Sequence, residues 1–264
     1  KRGGVCRGSK DAPMENPTKK GILFDTTRCV GCGACYVACK ERNHLPQSSL
    51  DFQKDDLSAL TYTVVKQSHG RFVRRLCMHC ETPTCVSVCP VAALQKTEAG
   101  PVVYHEDRCI GCRYCMVACP FGVPKYEWNK VLPRVRKCDF CSDRLAHGLP
   151  TACAEACPTQ ATLFGNREDL IAEAHRRLSA PSGRYLNHIY GLEEVGGTSV
   201  LLISDVAIGE LGYPTEIEKE PLPLLTWHVL QKIPNFVLLG NVLLGGIWWI
   251  TARREKVAKS PGAE

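Results

Sequence analysis

Arg28-Cys29-Val30-Gly31-Cys32-Gly33-Ala34-Cys35-Tyr36-Val37-Ala38-Cys39 decides how this chain must fold, because it sets four cysteines in the pattern C-x-x-C-x-x-C-x-x-x-C. The same pattern returns as Arg108-Cys109-Ile110-Gly111-Cys112-Arg113-Tyr114-Cys115-Met116-Val117-Ala118-Cys119. Two looser blocks complete the series, Cys77, Cys80, Cys85 and Cys89, then Cys138, Cys141, Cys153 and Cys157. Each is a C-x-x-C pair followed, after a gap, by C-x-x-x-C. A second echo joins Cys89-Pro90-Val91-Ala92-Ala93 to Cys157-Pro158-Thr159-Gln160-Ala161. Self-similarity of this kind marks an internally duplicated fold.

The spacing has a mechanical reading. Thiolates two residues apart wrap a tight loop around one face of an iron–sulfur cubane, with backbone N–H groups turned toward its sulfurs. Gly31 and Gly111 let the backbone approach closely. The fourth cysteine of each block, on the helix after the loop, reaches away from its own loop to a neighbouring cluster. Proline follows that cysteine at Cys89, Cys119 and Cys157, whereas Cys39 is followed by Lys40, a departure that removes no ligand. Zinc sites pair two C-x-x-C knuckles around one ion and do not use a third cysteine in step. Disulfides do not make a framework from tight C-x-x-C pairs. Four blocks of four therefore predict four [4Fe–4S] clusters and use sixteen of the seventeen cysteines. Cys6 is left over and is expected to be a free thiol. His79 reads as a loop residue near a cluster rather than a ligand. Tyr36, Tyr114 and Trp128 read as packing over the clusters.

The formal net charge of the 264 residues is +6, with thiols counted neutral. An oxidised cubane core carries +2 and its four thiolates −4, so each cluster subtracts two charges and four subtract eight, leaving about −2. The apparent basicity is counter-charge for the clusters and does not point to nucleic acid. There is no nucleotide-binding glycine loop and no acid/base or nucleophile constellation, which argues against a self-contained enzyme. The composition, 44% hydrophobic and 23% charged, is that of an ordered globule.

Four segments are expected along the chain. Residues 1–20, rich in Lys, Arg, Gly and Pro, read as an extended arm; the chain starts at Lys1, which suggests a segment upstream. Residues 21–165 hold the cysteine blocks, with strands at Ile22–Phe24 and Val102–Tyr104 and short helices at Ala34–Cys39 and Tyr114–Cys119. Residues 166–222 form an extension. There Asn166 caps a helix from Arg167 to Leu178 whose apolar face is Leu170, Ile171, Ala174 and Leu178, and Ser199–Ser204 is a strand. Pro214, Pro221 and Pro223 mark a linker. Residues 223–264 hold an apolar helix and a basic tail. Ile233–Thr251 contains no Asp, Glu, Lys or Arg. At about 1.5 Å per residue it is long enough to cross a bilayer. Trp227, Trp248 and Trp249 fall where interfacial aromatics belong. Arg253, Arg254, Lys256 and Lys259 follow the span and only Lys232 closely precedes it, which places the C-terminus in the cytoplasm and the cysteine domain on the other side.

Cys77-Met78-His79-Cys80, Cys85-Val86-Ser87-Val88-Cys89-Pro90 and Gly111-Cys112-Arg113-Tyr114-Cys115-Met116-Val117-Ala118-Cys119-Pro120 resemble the four-cluster subunits of membrane-bound respiratory oxidoreductases. Val123-Pro124-Lys125-Tyr126, Phe164-Gly165-Asn166-Arg167-Glu168-Asp169-Leu170, Tyr190-Gly191 and Gly196-Gly197-Thr198 are most similar to the ferredoxin-like subunit of quinone-linked [NiFe] uptake hydrogenase, itself related to the formate dehydrogenase beta subunit. The resemblance runs over roughly residues 21–214. It implies an α+β fold, a duplicated ferredoxin-like (polyferredoxin) domain with four [4Fe–4S] clusters, here joined to one C-terminal transmembrane helix. It also implies the ligand sets, with blocks one and four exchanging their fourth cysteines, as do blocks two and three. One cluster then takes Cys29, Cys32, Cys35 and Cys157; a second Cys138, Cys141, Cys153 and Cys39; a third Cys77, Cys80, Cys85 and Cys119; a fourth Cys109, Cys112, Cys115 and Cys89. The implied role is non-catalytic electron transfer from a periplasmic catalytic subunit, a hydrogenase pair or alternatively a molybdopterin subunit such as formate dehydrogenase, to a quinone-reactive membrane subunit. The implied place is the inner membrane of a bacterium, reached by export of the folded protein.

Four cubanes predict about sixteen iron and sixteen acid-labile sulfide per chain. Anaerobic metal analysis of fully loaded protein checks this, and Cys6→Ser should leave the count unchanged; a preparation holding mainly zinc, or about eight iron, would contradict it.

Overall fold

The structure is a computed structural model that describes residues 18–47, 52–180 and 183–258, so most of the expected arm and Cys6 lie outside the described residues. The chain forms two compact units, one ending at Pro221 and one from Leu222 onward.

In the first unit, β1 (Lys20–Asp25) is apolar on both faces, and each face meets its own core. Ile22 and Phe24 join Val73, Met78, Phe140, Val200 and Leu202 on the side of the cysteine loops. Leu23 joins Leu170, Ala174, Leu201 and Ile203 on the opposite side. The first cysteine loop follows β1 and leads into α1 (Ala34–Arg42). This helix outruns the expected Ala34–Cys39 because Lys40, unlike proline, donates a backbone N–H. Its side chain is buried, with Nζ donating to the carbonyls of Pro46 and Leu60, each at 3.0 Å.

A hairpin not anticipated from the sequence comes next, β2 (Val64–Ser68) against β3 (Arg71–Arg75). Its turn residues, His69 and Gly70, both have positive φ, +47° and +73°, as a two-residue type I′ loop requires. After the second cysteine loop come α2 (Thr84–Ser87), then β4 (Leu94–Lys96) paired antiparallel with β5 (Val102–Tyr104), the latter with the expected bounds. The third loop enters α3 (Tyr114–Ala118), which stops at Cys119 before Pro120. A short hairpin, β6 (Lys125–Tyr126) and β7 (Val135–Arg136), leads to the fourth loop, α4 (Ser142–Ala146) and α5 (Ala152–Glu155).

Three further elements close the unit: β8 (Thr162–Asn166), α6 (Arg167–Leu178) and β9 (Val200–Ile203). The main sheet has the order β8-β1-β9. β8 runs antiparallel to β1, from Lys20 opposite Asn166 to Phe24 opposite Thr162, and β9 runs parallel to it. The extension after residue 165 is thus part of the same sheet as β1. Leu170, Ile171, Ala174 and Leu178 of α6 pack on that sheet, the apolar face the periodicity predicts. Asn166 stands at the N-cap without a side-chain capping bond. Its amide oxygen instead accepts from Lys20 Nζ at 2.7 Å, and its nitrogen donates to Asp169 at 2.9 Å.

The C-terminal unit holds α7 (Leu222–Leu230) and α8 (Ile233–Ala258). The apolar stretch Leu222–Ala258 is long and apolar enough to cross a membrane. It begins earlier than the expected Ile233, so Pro223 lies in the first turn of α7 rather than in a linker, a position where its missing N–H costs nothing.

Asp25, at the end of β1, and Arg177, on α6, form a buried ion pair with Nη1 to Oδ2 at 2.8 Å and side-chain exposures of 1% and 6%. Tyr185 and Thr27 also donate to Asp25, at 2.8 and 2.7 Å. Arg177→Ala strands a buried carboxylate and is expected to cost about 3–5 kcal/mol. Denaturant unfolding of the cluster-loaded protein measures it.

Candidate iron–sulfur centres

The two antiparallel ladders decide which cysteines meet. β1 precedes block one and β8 follows block four, so their pairing brings those blocks together; β5 precedes block three and β4 follows block two. Cys29, Cys32, Cys35 and Cys157 line one small cavity. Cys39, Cys138, Cys141 and Cys153 line another, and Cys89, Cys109, Cys112 and Cys115 a third. Cys77, Cys80, Cys85 and Cys119 form the remaining group, in which the other three sulfurs all act on Cys80.

Each C-x-x-C loop makes the same backbone move. The residue before its second cysteine has positive φ in all four: Gly31 (+68°), His79 (+50°), Gly111 (+71°) and Phe140 (+63°). At Gly31 a Cβ would fall 2.4 Å from the Phe72 ring, so only glycine fits. A second turn of this hand follows the cysteine–proline steps, at Ala92 (+49°), Gly122 (+60°) and Gln160 (+50°). It swings amide N–H groups back onto the cysteine: Ala93 donates to Cys89 Sγ at 3.2 Å, and Cys119 and Cys157 receive equivalent bonds. Such donors favour sulfur that carries negative charge.

Burial works against that charge unless a cation offsets it. Burial pushes the Cys39 and Cys85 thiols up to about 12, and those of Cys35, Cys115 and Cys141 up to about 11. In each case nearby cysteine sulfurs add to the effect. Grouped thiolates are stable here only around a positive core. Arg74, on β3, makes the same demand from the other side. It is 1% exposed, lines the second cavity, and its hydrogen-bonded oxygen partners are the hydroxyls of Thr63 (2.9 Å) and Thr162 (3.3 Å). Burial opposes its charge, and the sulfurs of Cys153, Cys35 and Cys138 offset that and hold it protonated. A buried cation needs an anion beside it, and here the anions are cysteine thiolates. The residues therefore fit a cluster. Among the described residues no three His, Cys, Asp or Glu side chains converge as one ion would require. The sulfurs stand around cavities, which suits a cubane and not a single zinc with Zn–S near 2.3 Å.

Neighbouring groups touch electrostatically in one sequence. Cys35 of the first feels Cys153 of the second, Cys138 of the second feels Cys77 of the third, and Cys85 of the third feels Cys115 of the fourth. The two terminal groups lie at the surface, where Val30 is 58% exposed beside the first, and Ile110 and Val117 are 65% and 88% exposed beside the last. Between the second and third groups sits His79, fully buried. Its Nδ1 accepts the Val102 N–H at 2.9 Å, and the Val102 carbonyl accepts from the buried Lys137 at 2.5 Å. Burial, with Lys137 and Lys96 nearby, holds the imidazole well below its ordinary pKa. Of the three aromatics expected to pack over clusters, Tyr36 is buried, but Tyr114 and Trp128 are mostly exposed. Trp128 meets Tyr126 edge-on at 4.9 Å, and Arg113 lies over both rings. Arg74 went unnoticed in the sequence, although the Val-rich runs flanking His69-Gly70 are a hairpin cue that would have placed it on a strand.

Residues 28–93 and residues 68–167 each match a 4Fe-4S dicluster domain. At 40% identity over 260 residues the chain is similar to a protein of Nitratidesulfovibrio vulgaris, covering 92% of this chain and 70% of that one. It is 37% identical over 283 residues to the hydrogenase-2 operon protein HybA of Escherichia coli O157:H7, covering 91% and 86%. The chain belongs to the 4Fe-4S dicluster family. A third relative is the iron–sulfur subunit of nitrate-inducible formate dehydrogenase of Escherichia coli K12, 36% identical over 197 residues, which covers 69% of this chain and 66% of that subunit. Two dicluster domains, with sixteen patterned cysteines, account for four [4Fe–4S] clusters.

A charge roughly 7 Å from a cluster, at an effective dielectric of about 20, is worth about 2 kcal/mol, or roughly 100 mV. Arg74→Met is therefore expected to lower two of the four cluster potentials by that order, and Arg74→Lys to lower them far less. A redox titration followed by electron paramagnetic resonance measures both.

Proposed function

We propose that this chain is the electron-transfer subunit of a membrane-bound hydrogenase complex, linking a periplasmic catalytic subunit to a quinone-reactive membrane subunit. The observation that carries the reading is the succession of four neighbouring cysteine groups whose first and last members lie at the surface. The ligand sets we assign are Cys29, Cys32, Cys35 and Cys157; Cys39, Cys138, Cys141 and Cys153; Cys77, Cys80, Cys85 and Cys119; and Cys89, Cys109, Cys112 and Cys115. Their grouping around common cavities supports this assignment. When bound, each cluster accepts and releases one electron. The chain's own part is to exclude water, hold each cluster against its neighbours, and set local charge through Arg74, Lys137 and the inward-turned N–H groups. The sequence holds no nucleotide-binding glycine loop, and one relative is named as an iron–sulfur subunit, which together favour a non-catalytic role.

HybA carries a hydrogenase name, and its match over 91% of the chain favours the hydrogenase branch. The formate dehydrogenase subunit matches over a shorter stretch and supports the second reading, a subunit of a molybdopterin oxidoreductase. The stretch Leu222–Ala258 supports membrane anchoring. Arg253, Arg254 and Lys256 after its apolar part, against Lys232 before, support a cytoplasmic C-terminus with the clusters in the periplasm.

Purified alone, the cluster-loaded subunit should exchange electrons with dyes and show no turnover with hydrogen or formate; turnover in a preparation proved free of catalytic subunits would sink the proposal. The catalytic partner that co-purifies distinguishes hydrogenase from molybdopterin enzyme. Truncation after Pro221 should keep all sixteen ligands and the iron, while quinone reduction by the complex falls far more than dye reduction. A reporter that works only in the cytoplasm should be active when fused at the C-terminus, and activity of a periplasm-only reporter there would reverse the topology.

A further inference from the structure

Tyr104 closes β5, and its ring forms part of the wall of the cavity shared by Cys89, Cys109, Cys112 and Cys115. The ring has little freedom to leave. It stands opposite Leu94 across the hairpin and packs into the cluster of Leu94, Val102, Cys115 and Val135. Its hydroxyl oxygen is shut off from solvent, and among the described residues no group meets it in full hydrogen-bond geometry. The acceptors that share its cavity wall are the sulfurs of Cys89, Cys109, Cys112 and Cys115. A buried hydroxyl left without a partner forfeits the hydrogen bond it would have had in water, so a position held this firmly calls for an acceptor.

We propose that Tyr104 donates an O–H···S hydrogen bond to a thiolate of the cluster held by Cys89, Cys109, Cys112 and Cys115 and so raises the reduction potential of that cluster. The inference rests on the ligand sets assigned above. Reduction adds one electron and takes the cluster with its four thiolates from −2 to −3, with no proton transferred. A donor on the thiolate stabilises the more negative form more, so it makes the site easier to reduce. Tyr104 thus acts through a ligand as a tuning residue, at a terminal site whose neighbours Ile110 and Val117 are open to a partner. Raising the potential there biases electrons toward this end of the series.

The test compares the full, cluster-loaded complex carrying wild-type chain with the same complex carrying Tyr104→Phe, which removes the hydroxyl and keeps the ring. In a redox titration followed by electron paramagnetic resonance, one of the four one-electron steps should move to lower potential. The expected change is about tenfold in the reduced-to-oxidised ratio, or about 59 mV for a one-electron couple, and the other three steps should stay in place. Electron–nuclear double resonance in H2O and D2O should show an exchangeable proton coupled to that cluster in the wild type and missing in Tyr104→Phe. Four unshifted steps at about sixteen iron, or a shift upward, would overturn the proposal. Loss of about four iron would also overturn it, because the hydroxyl would then be holding the cluster rather than tuning it. The ligand assignment fails separately: Cys109→Ser leaving all four cluster signals as in the wild type would remove it, whatever Tyr104→Phe does.

Discussion

Every cysteine group is completed by a residue from another block, and only backbone pairing can deliver it there. Lys20 opposite Asn166 and Phe24 opposite Thr162 tie together stretches far apart in sequence. The entropy of closing so long a loop grows only slowly with its length, and the apolar faces of β1, β8 and β9 bury enough surface to hold it shut. The β4–β5 hairpin does the same for the other pair of blocks over a short loop. With these ladders in place, the left-handed turns in the C-x-x-C loops set the remaining positions locally. The helices are brief because proline after the fourth cysteine ends them, and α1 is longer because Lys40 does not.

Charge is the second consideration, and it follows from the first. Once sixteen sulfurs are drawn into four groups, their negative charge must be met close by. Arg74 sits between the first two groups, and Lys137 sits between the second and third. Both side chains would be costly if buried alone. The formal +6 of the sequence is therefore partly an interior property rather than a surface one. This is why the charge balance misleads when it is read as a sign of a polyanionic partner.

The sixteen cysteine positions, β5 and α6 were legible in the sequence because the cues are local: fixed spacings, an apolar run before a loop, a helical face of Leu170, Ile171, Ala174 and Leu178. Which blocks share a cavity was not legible from spacing, since that depends on ladders between distant strands. Arg74 was hidden for a related reason: a lone arginine on a strand looks solvent-facing until its neighbours across the sheet are known. Pro223 was read as linker because proline ends helices more often than it begins them, and Tyr114 was read as packing because exposure is not written in residue type. Tyr104 lies inside a strand the sequence predicts, but only the fold shows that it lines the cavity shared by four cysteines.

The way the blocks are paired is nested, like one pair of brackets inside another. Blocks two and three lie wholly between blocks one and four. A chain leaving the ribosome from its N-terminus releases Cys119, and with it both inner sets, before Cys138, Cys141, Cys153 and Cys157 exist. At about 5–20 residues per second the delay to Cys157 is roughly 2–8 s. Through that interval Cys29, Cys32, Cys35 and Cys39 are synthesised but lack their companions, and β1 lacks β8. The inner cysteine sets are therefore complete in the growing chain before the outer ones. The same order leaves the earliest thiols unprotected the longest, so the vulnerable stage of biogenesis falls on the block nearest the N-terminus.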